Sequence, residues 1–283
     1  MTDPTLGAEA FVDLHMHSTA SDGALPPDAV VAAAHDAGLA AIALTDHDTV
    51  DGVAAAQAAG ERLGVRVVAG VELSAHDGDR EIHLLGLHVA RVEMIAGALA
   101  RFRDDRVSRA EQMVAKLNAL GVPLTMDAVL REAAGGAVGR PHVARALIAG
   151  GYVADQREAF DRYLRDGKPA YVDKPRLEVR DAIQLVRDAG GIVVWAHPGS
   201  EGRRERVERL VAAGLDGLEI RHPSHTTDDM QRLGALVDFF RLVPSGGSDW
   251  HGQREGPRTI GMMRVPADWL ARQEARVDAQ RAA

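Results

Sequence analysis

Six histidines and three carboxylates, His15, His17, Asp22, His47, Glu72, His83, His197, Asp249 and His251, have the types and placement for metal ligation. Nearly all close a short apolar run, which is where a barrel of strands and helices gathers its site residues. Nine ligands exceed the needs of one ion, so the set points to a multinuclear hydrolytic centre. The chain has no cysteine. Metal would then be held by nitrogen and oxygen alone, which suits Mn, Fe or Zn, and a disulfide or catalytic thiol is excluded.

The spacing supports the chemistry. In DLHMHS (13–18) His15 and His17 are two apart, so on a strand both project to one face and can reach one ion. An exposed polar edge would show the same pattern. Asp22 follows in a loop ahead of Pro26 and Pro27, where a turn-forming role is the plain alternative. LTDHDTVDG (44–52) places four polar residues after an apolar strand. His47 is its ligand candidate, Asp46 is expected to orient a ligand imidazole, and Asp48 or Thr49 would cap the next helix. Glu72 ends an apolar run, where a lone buried carboxylate is costly without a partner or metal. His83 shares a strand face with Glu81 and could equally be a satisfied core histidine. In VVWAHPGS (193–200) Pro198 stops the ladder after His197. In PSGGSDWHG (244–252) Asp249 and His251 repeat the two-residue spacing after a glycine pair.

Seven apolar runs read as the strands that must position these groups: 11–17, 40–45, 65–73, 81–89, 191–197, 216–222 and 240–249. Ala-rich helical stretches at 26–39 and 50–64 alternate with the first of them, the rhythm of a parallel α/β fold. The rhythm breaks between Val92 and Lys168, where helical patterns at 92–120, 125–134, 140–149 and 155–165 predict an all-helical insertion. The barrel is thus expected over 11–91 and 169–265, the insertion over 92–168, and a surface helix over 266–283.

Composition narrows the class. With 283 residues and 46% hydrophobic content the chain can bury a sizeable core. A net charge of −8 argues against broad nucleic-acid binding, though divalent ions would reverse the local field and admit a small phosphorylated substrate. The start, MTDPTLGAEAF, has neither the basic nor the apolar region of a leader, and no run reaches membrane-spanning length. A cytoplasmic protein without a membrane or stable protein partner is expected.

The series HxH, SD, TDHD, a strand-ending Glu, IH, AHP and SDxH, from about Phe11 to His251, resembles the PHP (polymerase and histidinol phosphatase) superfamily. The resemblance implies a distorted (β/α)7 barrel with a trinuclear centre. It would assign His15, His17, Glu72 and Asp249 to one ion and Asp22, His47 and His251 to a second. His83 and His197 would take a third, with Glu72 bridging. VGRPHVARAL (138–147) and RDGKPAYV (165–172) are similar to the bacterial stand-alone group that includes the TrpH/YciV proteins. Membership there implies removal of the 3′-phosphate from nucleoside 3′,5′-bisphosphates, with 5′-to-3′ exonuclease action on short RNA or DNA oligonucleotides. The cofactor expectation is two or three divalent ions, Mn first, with Fe or Zn as alternatives. Arg140 and Lys168 would grip phosphate, although a helix-start residue and a solvated lysine are their plain alternatives.

Arg221, His222 and His225 in EIRHPSHT stand outside the ligand set. Arg221 and His222 are candidate substrate contacts and His222 a candidate proton donor; a turn-closing histidine is its alternative. His35, His76 and His88 read as structural or exposed, and Met262 and Met263 as core. Direct hydrolysis by an activated water, without a covalent intermediate, is expected. Histidinol-phosphate or another small-molecule phosphatase remains the alternative. Amidohydrolase chemistry and a metal-depleted interaction module are the more distant readings.

Overall fold

The computed structural model describes residues 10–133, 138–173, 176–253 and 255–282; the N-terminal stretch MTDPTLGAEAF inspected above falls almost wholly outside them. The chain divides into two compact units, one running to Ala96 and resuming at Leu177, the other spanning Gly97–Arg176.

The first unit is built on β1 (Phe11–Met16), β2 (Ala41–Leu44), β3 (Arg66–Asp77), β4 (Arg80–Leu87), β5 (Ile192–Trp195), β6 (Gly217–Arg221), β7 (Val243–Gly246) and a short β8 (Val265–Pro266). Their spatial order is β7-β6-β5-β4-β3-β2-β1-β8. Beyond β7 the backbone returns to β1: Met16 bridges Trp250, and the His17 amide donates to the Trp250 carbonyl at 2.9 Å. The result is the distorted seven-stranded barrel that was expected.

Two details differ from the sequence reading. β1, β2 and β3 are parallel, as are β5, β6 and β7, but β4 runs antiparallel to both its neighbours. Only two residues separate β3 from β4, enough for a hairpin and far too few for a parallel crossover. His83 is therefore presented from the amino-terminal half of its strand. β3 also continues to Asp77, paired with β4 throughout, so Glu72 lies within a strand and not at its end.

Helices α1 (Pro27–Asp36) and α2 (Val53–Leu63) begin and end where local chemistry dictates. Pro27 opens α1, where its missing N–H costs nothing, and Gly64 closes α2 in the left-handed conformation at φ 72°. The second unit takes in most of α3 (Val92–Ala119), then α4 (Met126–Ala133), α5 (Arg140–Ala149) and α6 (Gln156–Ala159), which runs into a π-helical turn at Phe160–Leu164. Its core is its own, with Met113, Leu117, Val129, Val143, Leu147 and Leu164 all buried. Back in the barrel unit come α7 (Val179–Asp188), α8 (Arg204–Ala212), α9 (Thr227–Phe240) and α10 (Ala267–Arg281). No helix among the described residues is long and apolar enough to cross a membrane.

α10 is more than the surface helix its polar composition predicted. Leu270 and Val277 join Val12, Leu14, Ile192 and Val243 in one buried cluster. Gln273 is fully buried, its Nε2 donating to the Pro244 carbonyl at 2.8 Å and its Oε1 facing His88 Nε2 at 3.2 Å. An apolar stripe three and seven residues apart is enough to plug a barrel end even in a helix dominated by charge.

Burial holds the His88 imidazole down to about 4. The unfolded chain takes up that proton below about 6.5, so it binds more protons than the folded one between those values, and stability falls as pH drops through that window. The loss approaches about 3 kcal/mol by pH 4. His88 has φ 58°, a conformation asparagine tolerates. Urea midpoints between pH 7 and 4 should thus fall less steeply for His88→Asn than for the wild type, and parallel slopes would refute the assignment.

Candidate metal centre

Glu72 is the hub of the site. It is 1% exposed; His15 Nε2, His17 Nε2 and His47 Nδ1 lie 3.1, 3.3 and 3.3 Å from its Oε2. His83 Nδ1 and His197 Nε2 lie 2.8 and 3.1 Å from its Oε1. Burial alone would raise this carboxyl, but the surrounding imidazoles, His15 foremost, hold it well below the usual range.

The other carboxylates complete three groups. Asp249 Oδ1 is 3.5 Å from His15 Nε2 and 3.1 Å from His17 Nε2. Asp22 Oδ1 is 3.2 Å from His251 Nε2, and its Oδ2 is 4.0 Å from His47 Nε2. His83 Nδ1 and His197 Nε2 stand 3.3 Å apart. The structure thus brings all nine residues close to one another; His17 also stands with Asp22, His47 and His251, and His47 with Glu72 and His83.

Three observations test whether these residues fit divalent ions. First, ligands about 2.1 Å from a tetrahedral ion lie about 3.4 Å from one another, which is the spacing found among His15, His17, Glu72 and Asp249. Second, both ring nitrogens of His17 are buried without a hydrogen-bond partner, although Nε2 is close to two carboxylates; neighbours that converge without bonding to each other are what co-ligands require. Third, the outward nitrogens set the tautomers. His251 Nδ1 lies 2.8 Å from the Asp249 carbonyl and must donate to it, which turns the Nε2 lone pair of a neutral ring toward Asp22. Opposed lone pairs need a cation between them, and the residues fit. His15 Nδ1 faces Glu219 Oε1 at 3.0 Å in the same manner. Burial would depress His15, yet Glu219 and Glu72 raise it well above its ordinary value, an attraction that any cation at Nε2 would share.

The backbone is strained where it delivers two of these groups. His197 and Asp249 have φ of 33° and 50°, in the left-handed region that non-glycine residues rarely occupy. Glu219 Oε2 holds the first by accepting the His197 amide at 2.6 Å.

Glu219 and Asp13 escaped the sequence reading. Glu219 is fully buried and bonds two ligand residues; burial raises its carboxyl, but His15 and His222 bring the balance below normal. A carboxylate between Leu218 and Ile220 was the available signal, the same one that marked Glu72. Asp13 is 1% exposed and accepts from Ser248 N, Ser248 Oγ and Gly261 N at 2.9, 2.6 and 3.1 Å, tying β1 to the segment that carries Asp249.

Other expected residues are placed differently. Asp46 contacts no imidazole among the described residues; it accepts from Ser18 N, Ser18 Oγ and Ser21 Oγ, each at 2.7 Å, and so shapes the loop bearing Asp22. Asp46→Ala is expected to lower metal occupancy at the Asp22, His47 and His251 group and cut turnover about 10- to 100-fold, with the fold retained; metal analysis beside kcat checks this. His222 is 2% exposed. Its Nδ1 accepts from Ser224 N at 3.1 Å, leaving the Nε2 proton to face Asp249 Oδ2 at 3.3 Å, and burial lowers its pKa. Both of its ring nitrogens are thus engaged, one of them with Asp249. Arg221 donates to the Met263 and Arg264 carbonyls and lies over Trp269, fastening the chain ahead of α10. His225 bridges Ile220 O and Gly199 N at 2.8 and 3.1 Å. Arg140 and Lys168 belong to the helical unit: the Arg140 guanidinium is 5.8 and 5.5 Å from the Phe160 and Tyr171 ring centroids, and Lys168 is exposed.

Comparison with known proteins agrees with this geometry. The PHP domain model matches residues 13–165. A Chromobacterium violaceum 3′,5′-nucleoside bisphosphate phosphatase is 40% identical over 89% of this chain and 91% of its own length. A Haemophilus influenzae 5′-3′ exoribonuclease is 37% identical over 84% of this chain and 89% of its own. Among solved structures, a Bifidobacterium adolescentis protein assigned as a metal-dependent phosphoesterase superposes with a TM-score of 0.70 at 32% identity, covering 94% of this chain and 96% of the other. Motif order, barrel and relatives converge, and the chain belongs to the PHP domain family.

Proposed function

We propose that this phosphoesterase removes the 3′-phosphate of nucleoside 3′,5′-bisphosphates, leaving the 5′-monophosphate. The observation that carries the substrate is the 40% identity, over nine-tenths of both chains, to a phosphatase of that name. Stepwise hydrolysis of RNA from its 5′ end is the second reading, favoured by the exoribonuclease match.

The nine residues would hold two or three divalent ions; Mn is proposed first, which the carboxylates suit, with Fe and Zn, which the imidazoles suit, as alternatives. Such ions, when bound, supply Lewis acidity and make water acidic enough to deprotonate near neutral pH. The chain's own part is positioning. Glu219 accepts a hydrogen bond from His15 Nδ1–H and leaves Nε2 facing the cluster, and the Asp249 carbonyl does the same for His251. His222 steadies Asp249 by one oxygen and leaves the other to the cluster. Arg140 and Lys168 are proposed to neutralise a substrate phosphate. A nucleotide substrate suits a cytoplasmic enzyme.

The test is product analysis on Mn-loaded protein given adenosine 3′,5′-bisphosphate, histidinol phosphate and a 5′-phosphorylated oligoribonucleotide in parallel. AMP with released phosphate is the expected result, and shortening of the oligomer from its 5′ end would add the second activity. Turnover of histidinol phosphate alone would overturn the substrate reading and leave the metal centre standing.

A further inference from the structure

Arg258 belongs to none of the motifs read from the sequence, yet it reaches the centre. Its Nη1 lies 2.5 Å from Asp249 Oδ2, and its side chain remains 42% exposed. The residue sits in a turn fixed on both sides. Thr259 N and Oγ1 bond the Gly256 carbonyl at 3.2 and 2.7 Å, and Gly261 N donates to the buried Asp13 at 3.1 Å. The backbone that carries Arg258 is thus tied down on both sides, and its guanidinium meets Asp249 from there.

Asp249 does not need Arg258 for orientation. Its Oδ2 already faces the buried His222 Nε2, and Oδ1 points to His15 and His17. A guanidinium on a metal-ligating carboxylate draws electron density from it and weakens it as a donor, so the pair is a poor device for ligation alone. One nitrogen of Arg258 meets Asp249, and the remaining N–H groups bond no other residue among those described. A half-exposed planar fork with donors to spare, anchored beside a cluster that would act on phosphate esters, matches the oxygens of a phosphoryl group.

We propose that Arg258 is a phosphate-binding residue of the barrel itself, turning its unused donors to the oxygens of the phosphoryl group at the metal centre. This rests on the phosphoesterase reading and adds to it a contact from the barrel unit, independent of Arg140 and Lys168.

The experiment titrates inorganic phosphate by calorimetry into metal-loaded wild type, Arg258→Gln and Arg258→Lys, with metal content and Tm measured on the same samples. Arg258→Gln is expected to weaken phosphate binding at least tenfold with metal content and Tm unchanged. Arg258→Lys should recover part of the affinity, because it restores the charge without the fork. With any phosphomonoester that is turned over, KM should rise by more than kcat falls. Phosphate affinity equal to wild type in Arg258→Gln would overturn the proposal. So would a loss that only tracks lost metal, since Arg258 would then act by holding Asp249. Failure of the wild type to hydrolyse the bisphosphate would sink the substrate reading, while the phosphate titration would still decide the role of Arg258.

Discussion

Glu72→Gln is expected to strip the centre of metal and lower turnover on the order of 10³-fold or more. Both carboxylate oxygens are engaged, Oε2 with His15, His17 and His47 and Oε1 with His83 and His197. Glutamine keeps the volume but replaces one oxygen by an NH₂ group that cannot ligate, and it removes a negative charge that five imidazoles share. The groups centred on the two oxygens should therefore fail together. Metal analysis after dialysis, with kcat on the same sample, checks this. Near-wild-type metal content with normal turnover would mean that Glu72 is a structural carboxylate and not the hub. A selective loss of one ion would mean that it does not bridge.

Glu219→Gln should have the second largest effect, although this residue is expected to touch no substrate. Its two oxygens accept from the His15 ring and the His197 amide. An amide can accept at only one of these; if it accepts from the His197 amide it presents N–H to His15 Nδ1, which favours the His15 tautomer with its proton on Nε2, pointing into the cluster. The cost should be about 2–4 kcal/mol of stability, with a 10- to 100-fold loss of metal affinity because His15 loses its tautomer restraint and His197 its backbone anchor. Urea unfolding of the metal-free protein reads the first effect, and metal titration reads the second. Loss of metal affinity without loss of stability would confine Glu219 to the His15 ring. The reverse pattern would make it a fold element only.

Arg258 and Glu219 escaped sequence reasoning for different reasons. Glu219 lies between Leu218 and Ile220, so a buried carboxylate could have been suspected; its partners could not, since His15 is 204 positions away. Arg258 lies in a Gly- and Pro-rich turn where arginine ordinarily faces solvent, and its contact with Asp249 depends on how Asp13 folds that turn back on β1. Asp46 shows the converse. Its place beside His47 suggested an imidazole partner, but the residue that follows a strand end is free to turn elsewhere, and here it gathers the Ser18–Ser21 loop.

By itself the sequence singled out the nine residues that the structure gathers around Glu72, because residue type and two-residue spacing are local properties that carry their chemistry with them. It determined seven of the strands as well, since apolar runs bounded by turn residues need no distant information. Only the tertiary structure decided the burial of α10 and which carboxylates and arginine stand behind those nine residues. Each of these depends on what a side chain or strand meets across the barrel, and pairing between residues far apart in the chain leaves no periodicity in either segment alone.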